Sequence, residues 1–401
     1  MGTTHRTRTL SAGAVAAAAA ISLLAAPAQA VGPPEAPTKG GDVGVCAAGG
    51  GGDSGGGDGA PAAVDPVGSA NEEYTQAFRD FGNSGGGWAN EGGWAASDGV
   101  FSAELPGGEL VWLMNDKFLG PVNDDESMTD PGFIHGSIVL GGEDGLPDTT
   151  ITGGTQEEPE SIASPPDAVD GDPWYWNGDG IMDGGKLRVF QGRTGQTDGE
   201  PPWNFAWLGN DIVTYTEDFE VESVTTTYGS ADGSGIIWGN ELMQCGELTY
   251  IYGTRSGEAF VARADAGHLV DRDWEFYTGT GWSSDELASA PITDDVGASY
   301  SVTPMGEQFV LTTSAEAIFT DHTIYVATAP TPVGPFTGRV GVYTAPEGGV
   351  GDLYAPYNVA AHPEISADGD LVVSYNVNSG VGADLLEDAN NNRPRFVTIE
   401  F

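Results

Sequence analysis

The sequence is poor in cysteine, in basic residues and in long apolar runs. Its two cysteines, Cys46 and Cys245, are too few for a disulfide framework, and they form either one disulfide between tail and body or two free thiols. Lysine and arginine total 14 against 59 acidic residues, which gives a formal net charge of −45 and repels nucleic-acid phosphates and anionic lipid. After residue 30 no stretch approaches the roughly 18 apolar residues of a membrane span. We expect a soluble, monomeric protein with no nucleic-acid or membrane partner.

The first thirty residues have the pattern of a secretory signal. A short basic segment at 5–8 precedes an apolar run at 14–26, and the small-residue triplet at 28–30 suits cleavage. Residues 31–69 are rich in glycine and proline and hold too little apolar area to offset the entropy of ordering. The sequence therefore predicts a signal peptide at 1–30, a disordered linker at 31–69, a folded domain at 70–401 and secretion from the cell.

The folded domain begins with one helical pattern and continues as short strands. Apolar residues recur at helical spacing in 71–80. From Trp88 onward about fourteen short β-rich runs alternate with Gly, Asp, Asn or Pro, which indicates an all-β sandwich, barrel or propeller. A loose repeat of about sixty residues favours the propeller, with four or five blades, and the final run at 395–401 suits closure by pairing the chain ends. The acidic, proline-rich segment 141–172 is predicted to be a surface loop.

Two carboxylates on adjacent strands are the first candidates for chemistry. One predicted strand holds Asp98, and the next apolar strand, Leu110–Met114, carries Asp116 at its end. Hydrolysis of a glycosidic bond needs one carboxylic acid and one carboxylate facing the same cavity. The alternative is that both are turn residues, because Ser-Asp-Gly and Asn-Asp are common in turns.

Two histidines and their neighbours are candidates for substrate binding. His135 interrupts an apolar strand, where a buried imidazole needs a partner or a polar channel, although a hydrogen-bonded core histidine is the commoner case. His362 and Glu364 precede a strand that carries Asn376, and a propeller would turn them toward its axis. They would position a sugar hydroxyl or tune a carboxylate.

Tryptophans followed by polar turns are candidates for sugar contact. Flat rings bind the apolar faces of sugars, but they also fill the gaps between propeller blades. Trp176 and Trp238 stand before the turns NGDG and GNE, and Asp179 and Glu241 are further acidic candidates in those turns. Core packing is the alternative for the tryptophans.

Evidence for a cofactor in the sequence is weak. Asn177, Asp179 and Asp183 form a partial oxygen-ligand set for calcium but lack the spacing of an EF-hand. The chain has no zinc-peptidase, phosphate-loop or serine-esterase motif. We expect no required cofactor, with a structural calcium as the one candidate.

A resemblance to a known group of proteins covers most of the folded domain. The segments that carry it are SDGVFSAELPGGELVWLMNDKFLGPVN, FIHGSIVL, PWYWNGDGIMDGGKLRVF, WEFYTGTGW and AHPEISADGDLVVSYNVNS. From about Gly82 to Phe401 the chain resembles secreted bacterial five-bladed propeller domains of formerly unknown function, which are related to glycoside-hydrolase propellers including mycobacterial-type endo-D-arabinanases. The resemblance implies a five-bladed propeller, and it implies that the pair matching Asp98 and Asp116 is catalytic.

One residue departs from the pattern of these domains. They usually have Phe-Gly-Asp before the second carboxylate, whereas this chain has Met114-Asn115-Asp116. Asn115 adds bulk and a hydrogen-bonding group beside the expected site, so it bears on substrate choice and activity.

The sequence supports one leading function and one rival. The leading hypothesis is a secreted glycoside hydrolase acting on an extracellular polysaccharide, of arabinan type in view of the resemblance. The rival is a non-catalytic propeller that binds glycan or a cell-surface partner, because a fold alone does not fix function.

Overall fold

The computed structural model describes residues 65–142, 144–199 and 204–401. The predicted signal peptide, most of the predicted linker and Cys46 lie outside these residues. Within them β-strands dominate, so the all-β prediction is confirmed. No helix in these ranges is long and apolar enough to cross a membrane.

The described chain opens with a strand and a helix. Strand β1 (Val67–Ala70) lies partly in the segment predicted as linker, so the ordered domain begins before residue 70. Helix α1 (Glu72–Asn83) confirms the predicted helix. Its cap is Asn71, whose side chain accepts a hydrogen bond from the Tyr74 N–H at 3.2 Å. The alternation of strands and polar turns did not predict the second helix, α2 (Gly382–Glu387).

Residues 94–160 form nine strands. They are β2 (Trp94–Ser97), β3 (Val100–Glu104), β4 (Leu110–Met114), β5 (Lys117–Leu119), β6 (Gly132–Ile134), β7 (Ser137–Gly141), β8 (Pro147–Ile151), β9 (Gly153–Gly154) and β10 (Pro159–Glu160). Strands β3, β4, β7 and β8 make a four-stranded antiparallel sheet, and β2, β5 and β6 make a smaller one. Because β8 to β10 lie within 141–172, that segment is not wholly the loop that the sequence predicts.

Two further sheets follow between residues 174 and 294. The second large sheet contains β11 (Trp174–Asp183), β12 (Lys186–Gln196), β13 (Phe205–Tyr215) and β14 (Val221–Ser230). The third contains β15 (Ile237–Cys245), β16 (Leu248–Arg255), β17 (Glu258–Asp265), β18 (Glu275–Tyr277), β19 (Trp282–Ser283) and β20 (Thr293–Asp294).

The last two sheets complete the fold. The fourth contains β21 (Tyr300–Met305), β22 (Gln308–Ser314), β23 (Thr323–Ala329) and β24 (Thr337–Thr344). The fifth contains β25 (Leu353–Ala361), β26 (Asp370–Ser379), β27 (Pro394–Glu400) and, at its edge, β1. Short 3₁₀ turns lie at Leu269–Asp271, Glu286–Ala288, Pro363–Ile365 and Ala389–Asn392.

The five large sheets follow one another in a cycle. The first strand of each sheet, here called a central strand, contacts the central strand of the next sheet: β3 with β11, β11 with β15, β15 with β21, β21 with β25, and β25 with β3. The chain ends close the cycle, because β1 pairs antiparallel with β27 over Val67–Ala70 and Val397–Glu400. The predicted pairing of the two ends is therefore confirmed.

Neighbouring central strands run in the same direction. The Ser299 hydroxyl donates to the Val359 carbonyl at 3.2 Å, and two residues further along both strands the Ala361 N–H donates to the Ser301 hydroxyl at 2.9 Å. The starting ends of the central strands therefore lie on one side of the fold, which we call the entry face. Because the sheets are antiparallel, the loops that follow each second strand also lie on this face.

Apolar side chains fill the space between successive sheets. One cluster joins the first and second sheets through Leu113, Tyr175 and Val189, and comparable clusters join the other neighbours. Between the fifth and first sheets, α1 contributes Phe78, whose ring lies 5.3 Å from that of Trp112. The cores therefore lie between sheets, which leaves the side chains at the cycle's centre free to be polar.

Candidate active site

The structure brings Asp98 and Asp116 together on the entry face. Asp98 occupies the turn between β2 and β3, and Asp116 follows β4. The Asp98 N–H donates to the Asp116 carbonyl at 3.2 Å, and the Asn115 N–H donates to the Asp98 carbonyl at 2.9 Å. Gly99 completes the turn with φ of +60°, and a Cβ there would lie 2.2 Å from the Asn115 amide nitrogen. Backbone geometry thus fixes the two carboxylates side by side.

Two side chains from other segments bind the Asp116 carboxylate: Trp176 on β11, and His135, which lies in the bend between β6 and β7. The predicted strand around His135 is thus two strands of different sheets. The Asp116 Oδ1 accepts a hydrogen bond from Trp176 Nε1 at 2.7 Å. The same oxygen lies 2.7 Å from His135 Nδ1. An indole N–H can only donate, so this oxygen must act as an acceptor. The Asp116 side chain is 13% exposed and that of His135 is 27% exposed, so water and a ligand reach both. Two residues selected from the sequence as substrate-binding candidates therefore hold the second carboxylate.

Asp98 has a different environment. It is 3% exposed, and its Oδ2 accepts a hydrogen bond from the Tyr357 hydroxyl at 3.0 Å. That hydroxyl in turn accepts one from the Asn378 amide at 2.8 Å. Burial and the nearby Asp116 charge raise the pKa of Asp98 well above its usual value, against the smaller opposing effects of Tyr357 and Lys117. Asp98 therefore keeps its proton to a higher pH than an ordinary aspartate.

A buried lysine lies beside the pair. Lys117 is fully buried, and its ammonium group contacts the Ser137 hydroxyl and lies 3.4 Å from the Met114 carbonyl. Burial lowers the pKa of Lys117 well below its usual value, while the charges of Asp116 and Asp98 act in the opposite direction. The amine of Lys117 therefore lies near both carboxyl groups, and its interactions with them partly offset the effect of its burial.

Aromatic rings form one wall of the site. Trp174 stacks on His135 with ring centres 4.8 Å apart and an interplanar angle of 15°. Trp176 meets Trp174 and Phe205 edge to face at 5.9 and 5.1 Å. All of these rings are partly exposed. They offer flat apolar surface beside Asp116, on the side of the second sheet.

A second set of carboxylates, here called the inner set, lies farther along the central strands. It consists of Asp179 on β11, Glu241 on β15 and Glu364 just after β25. Asp179 Oδ2 accepts the Leu242 N–H at 2.7 Å, and its Oδ1 accepts the Gly180 N–H at 2.8 Å. Burial raises the pKa of Asp179 and of Glu241 well above their usual values, and each carboxylate's neighbours in the set add to the shift.

Glu364 connects the inner set to a buried histidine. Glu364 is exposed, and partial desolvation of its carboxyl group by nearby protein raises its pKa to about 7. Its Oε2 accepts the Ser102 hydroxyl at 3.0 Å, and Ser102 Oγ lies 2.7 Å from His362 Nδ1. His362 Nε2 lies 2.8 Å from the Ser374 hydroxyl. Burial lowers the pKa of His362 to about 3, so the ring is neutral, and its one donor and one acceptor match the two hydroxyls.

Three sequence candidates lie in the core instead of facing a ligand. His362 is fully buried between Trp112 and Phe396. Trp238 is 2% exposed and donates its N–H to Glu286 at 2.9 Å, because it fills the gap between the second and third sheets. Asn376 is fully buried and accepts the Gly99 N–H at 3.0 Å, so it supports the turn that carries Asp98.

Asn115, the residue that departs from the pattern of related domains, connects the first and second sheets. Its amide donates to the Asn177 carbonyl at 3.0 Å, and its Oδ1 accepts the Asn177 N–H at 2.5 Å. The side chain therefore ties the end of β4 to β11 and points away from the open side of the carboxylates.

The candidate calcium ligands do not converge. Asn177 donates to the Met114 carbonyl, Asp179 accepts backbone N–H groups, and Asp183 pairs with Arg188 at 3.1 Å. Over the described ranges no group of three or more His, Cys, Asp or Glu side chains is arranged to hold a metal ion. Cys245 is not a free thiol.

Sequence reasoning missed two residues that touch or face the pair. Tyr357 lies in an apolar run and is 259 positions from Asp98, so no local pattern marks it. Lys117 stands next to Asp116, but a lysine near an aspartate is usually exposed, and only the fold shows that this one is buried.

Comparison with known proteins agrees with this architecture. Residues 87–400 match the family described as a domain of unknown function, DUF5005, and the chain belongs to that family. No curated protein matches. A provisionally assigned hydrolase from Bacteroides ovatus ATCC 8483 shares the fold with a TM-score of 0.68 at 19% identity, over 83% of this chain and 90% of that one.

Two solved α-L-arabinofuranosidases are more distant. The enzyme from Podospora anserina gives a TM-score of 0.45 at 10% identity, over 77% of this chain and 92% of that one. The catalytic domain from Coprinopsis cinerea gives 0.43 at 9%, over 77% and 91%. Likeness at this distance carries no argument about function.

Proposed function

We propose that this chain is a secreted five-bladed propeller that hydrolyses glycosidic bonds of an extracellular polysaccharide, with arabinan-type glycans as the first substrates to test. The five cyclic sheets would be the blades. The observation that carries the proposal is the pairing at the entry face of a buried Asp98, whose pKa is raised, with an Asp116 held by Trp176 and His135.

The two carboxyl groups suit the two roles that the reaction requires. Because its pKa is raised, Asp98 is suited to hold a proton and to give it to the glycosidic oxygen as the bond from that oxygen to the anomeric carbon breaks. Asp116 either attacks the anomeric carbon with its own electron pair, or takes a proton from a water whose oxygen forms the new bond to that carbon. Tyr357 and His135 fix the orientation of the two groups.

The surroundings of the pair favour a neutral carbohydrate. Partly exposed tryptophans beside Asp116 offer stacking surface, and the many acidic residues disfavour an anionic substrate. The fold shared with the provisionally assigned Bacteroides hydrolase fits the proposal. No cofactor is needed for this mechanism, and the protein would act as a monomer.

Hydrolysis of a polysaccharide panel tests the proposal. The purified protein is incubated with arabinans, arabinogalactan, xylan and cell-wall glycans, and released reducing ends are measured. We expect cleavage of at least one glycan and a loss of about 100-fold or more in Asp116→Asn. Val221→Ala, an exposed apolar change at the opposite end of the second sheet, is the matched control and should retain the parent's rate.

The rival function makes a different prediction. A non-catalytic glycan-binding propeller would retain a polysaccharide on an affinity gel without releasing sugar, and Asp116→Asn would bind like the parent. Cleavage at the same rate by the parent and by Asp116→Asn would contradict the proposed role of the pair.

A further inference from the structure

An exposed aromatic ring, that of Phe319, lies against Tyr354 of the fifth sheet, whereas the tryptophans of the site come from the second sheet. Phe319 belongs to the loop 315–322, which follows the second strand of the fourth sheet and therefore lies on the entry face. Its side chain is 55% exposed. Neither the sequence pattern nor the proposed mechanism accounts for this ring.

The loop holds Phe319 in a defined place. Its neighbour Ile318 is 5% exposed and packs in a cluster with Tyr354 and Tyr357. The Thr320 and Asp321 N–H groups both donate to the Ala317 carbonyl at 2.9 Å, which closes the loop into a turn. Ile318 thus anchors the loop, and Phe319 turns outward.

Phe319 connects to the carboxylate pair through two tyrosines. Its ring lies 5.0 Å from that of Tyr354, and Tyr354 lies 5.2 Å from Tyr357. The Tyr357 hydroxyl donates to Asp98 at 3.0 Å. These residues come from the fourth and fifth sheets, whereas Trp174 and Trp176 come from the second. Asp98 and Asp116 flank the strands of the first sheet, whose neighbours in the cycle are the second and fifth sheets. Aromatic side chains of both neighbours therefore approach the pair, and Phe319 extends the fifth-sheet side through Tyr354.

We propose that Phe319 is a sugar-binding position for a substrate unit remote from the cleaved bond, so that the substrate is an oligosaccharide or polysaccharide extending to both sides of the pair. A flat apolar ring with one face open to water is suited to the C–H face of a neutral sugar. Its distance from the carboxylates, with two tyrosines between, places it outside the reacting unit. This inference rests on the proposed hydrolase function and extends it to substrate length.

Kinetics with substrates of different length test this position. The probes are linear arabino-oligosaccharides from the disaccharide to the hexasaccharide, hydrolysed by the parent, Phe319→Ala and Phe319→Trp. We expect Phe319→Ala to raise KM for the hexasaccharide about fivefold, with little change in kcat, and to leave the disaccharide unaffected. Phe319→Trp should restore the parent's KM, because it keeps a flat ring.

Three controls make the outcomes distinct. Val221→Ala removes exposed apolar surface far from the entry face and should match the parent. Thermal unfolding shows whether Phe319→Ala is folded, and if it is not, Phe319→Leu keeps an apolar contact with Tyr354 but removes the flat ring. Binding of the hexasaccharide to Asp116→Asn, by calorimetry, measures affinity without turnover.

The results separate the two proposals. If the parent cleaves the hexasaccharide and Phe319→Ala gives the same KM, or raises KM equally for the disaccharide, the inference about Phe319 is wrong while the hydrolase function stands. If the parent neither binds nor cleaves any of these sugars, both proposals are overturned for arabinan-type substrates.

Discussion

Two groups of carboxylates lie at the centre of this fold, and they differ in what holds them. Asp98 and Asp116 at the entry face are bound by side chains from other segments, namely Tyr357, Trp176 and His135. In the inner set, Asp179 is bound by backbone N–H groups and Glu364 by the Ser102 hydroxyl, with no aromatic donor to either in the part of the chain that the structure describes. The entry pair also has partly exposed aromatic rings beside it.

The difference indicates which group carries out chemistry. Asp116 is partly exposed and is held by an indole and an imidazole from the aromatic wall, whereas backbone donors tie the buried Asp179 to the adjoining strands. Burial raises the pKa in both groups, so a raised pKa alone does not identify the reacting pair. What distinguishes Asp98 and Asp116 is the group of partly exposed aromatic rings beside them, and on this ground we assign the proposed reaction to that pair.

The largest expected effect is a loss of hydrolysis that occurs on changing the entry pair and not on changing the inner set. We expect Asp116→Asn to reduce kcat by about 100-fold or more, because it removes the carboxylate that acts as nucleophile or base. Glu241→Gln should remain within a few-fold of the parent. The measurement is the release of reducing ends from whichever glycan the parent cleaves. A larger loss in Glu241→Gln than in Asp116→Asn would move the active site to the inner set.

A smaller effect should follow from removing one donor to Asp116. Trp176→Phe keeps a ring but loses the Nε1 hydrogen bond. We expect kcat/KM to fall about tenfold, because a hydrogen bond to a charged group typically contributes about that factor in free energy. Trp238→Phe is the matched control, since its N–H binds Glu286 in the core. It should lower thermal stability and leave the rate of the folded enzyme unchanged. Equal kinetic losses in both variants would show that Trp176 acts only through packing.

The buried carboxylate of Asp98 should reduce the free energy of unfolding at high pH, although the proposed reaction requires it. Its folded-state pKa is raised, so its favourable contribution is present below the unfolded pKa near 4 and is lost as pH rises through the folded-state value. We therefore expect Asp98→Asn to raise the free energy of unfolding by about 1 kcal/mol at pH 8 and to give no gain at pH 3. Urea unfolding at the two pH values measures this, with the exposed Asp368→Asn as control. A variant less stable than the parent at pH 8 would contradict the assignment.

The smallest expected effect concerns the inner set. The folded-state pKa of Glu364 is raised to about 7, so relative to the parent Glu364→Gln should gain stability as pH rises from 4.5 to 7. Water contacts this side chain, so the gain should be smaller than for Asp98→Asn. Thermal unfolding across this range measures it, and hydrolysis should be unchanged. A pH-independent difference between parent and variant would show that the carboxylate does not titrate in this window.

The sequence predicts the strands and the entry pair because their signals are local. Short β-rich runs separated by Gly and Asp mark the strands, and Asp98 and Asp116 stand at the ends of two consecutive strands joined by a tight turn. His135 and Trp176 also come to the site, since each lies just before or within the strand that the pattern identifies.

The remaining features depend on contacts between distant segments. Trp238 and Trp176 have similar local sequences, yet one fills a gap between sheets and the other faces a carboxylate, a difference set by the neighbouring sheet. His362 is buried because Trp112 and Phe396 enclose it. Phe319 and Tyr357 carry no polar motif, so only the cyclic arrangement reveals their place beside Asp98.

The most direct test of the account is rescue of a carboxylate deletion by azide. Asp116→Gly is incubated with a glycan that the parent cleaves, with and without sodium azide, and products are identified by mass spectrometry. We predict that azide restores cleavage and that the product is a glycosyl azide. The small anion would occupy the space of the missing carboxylate and attack the anomeric carbon, while Asp98 still protonates the leaving oxygen. Rescue of Glu241→Gly, with none of Asp116→Gly, would contradict the claim that the entry pair performs the reaction.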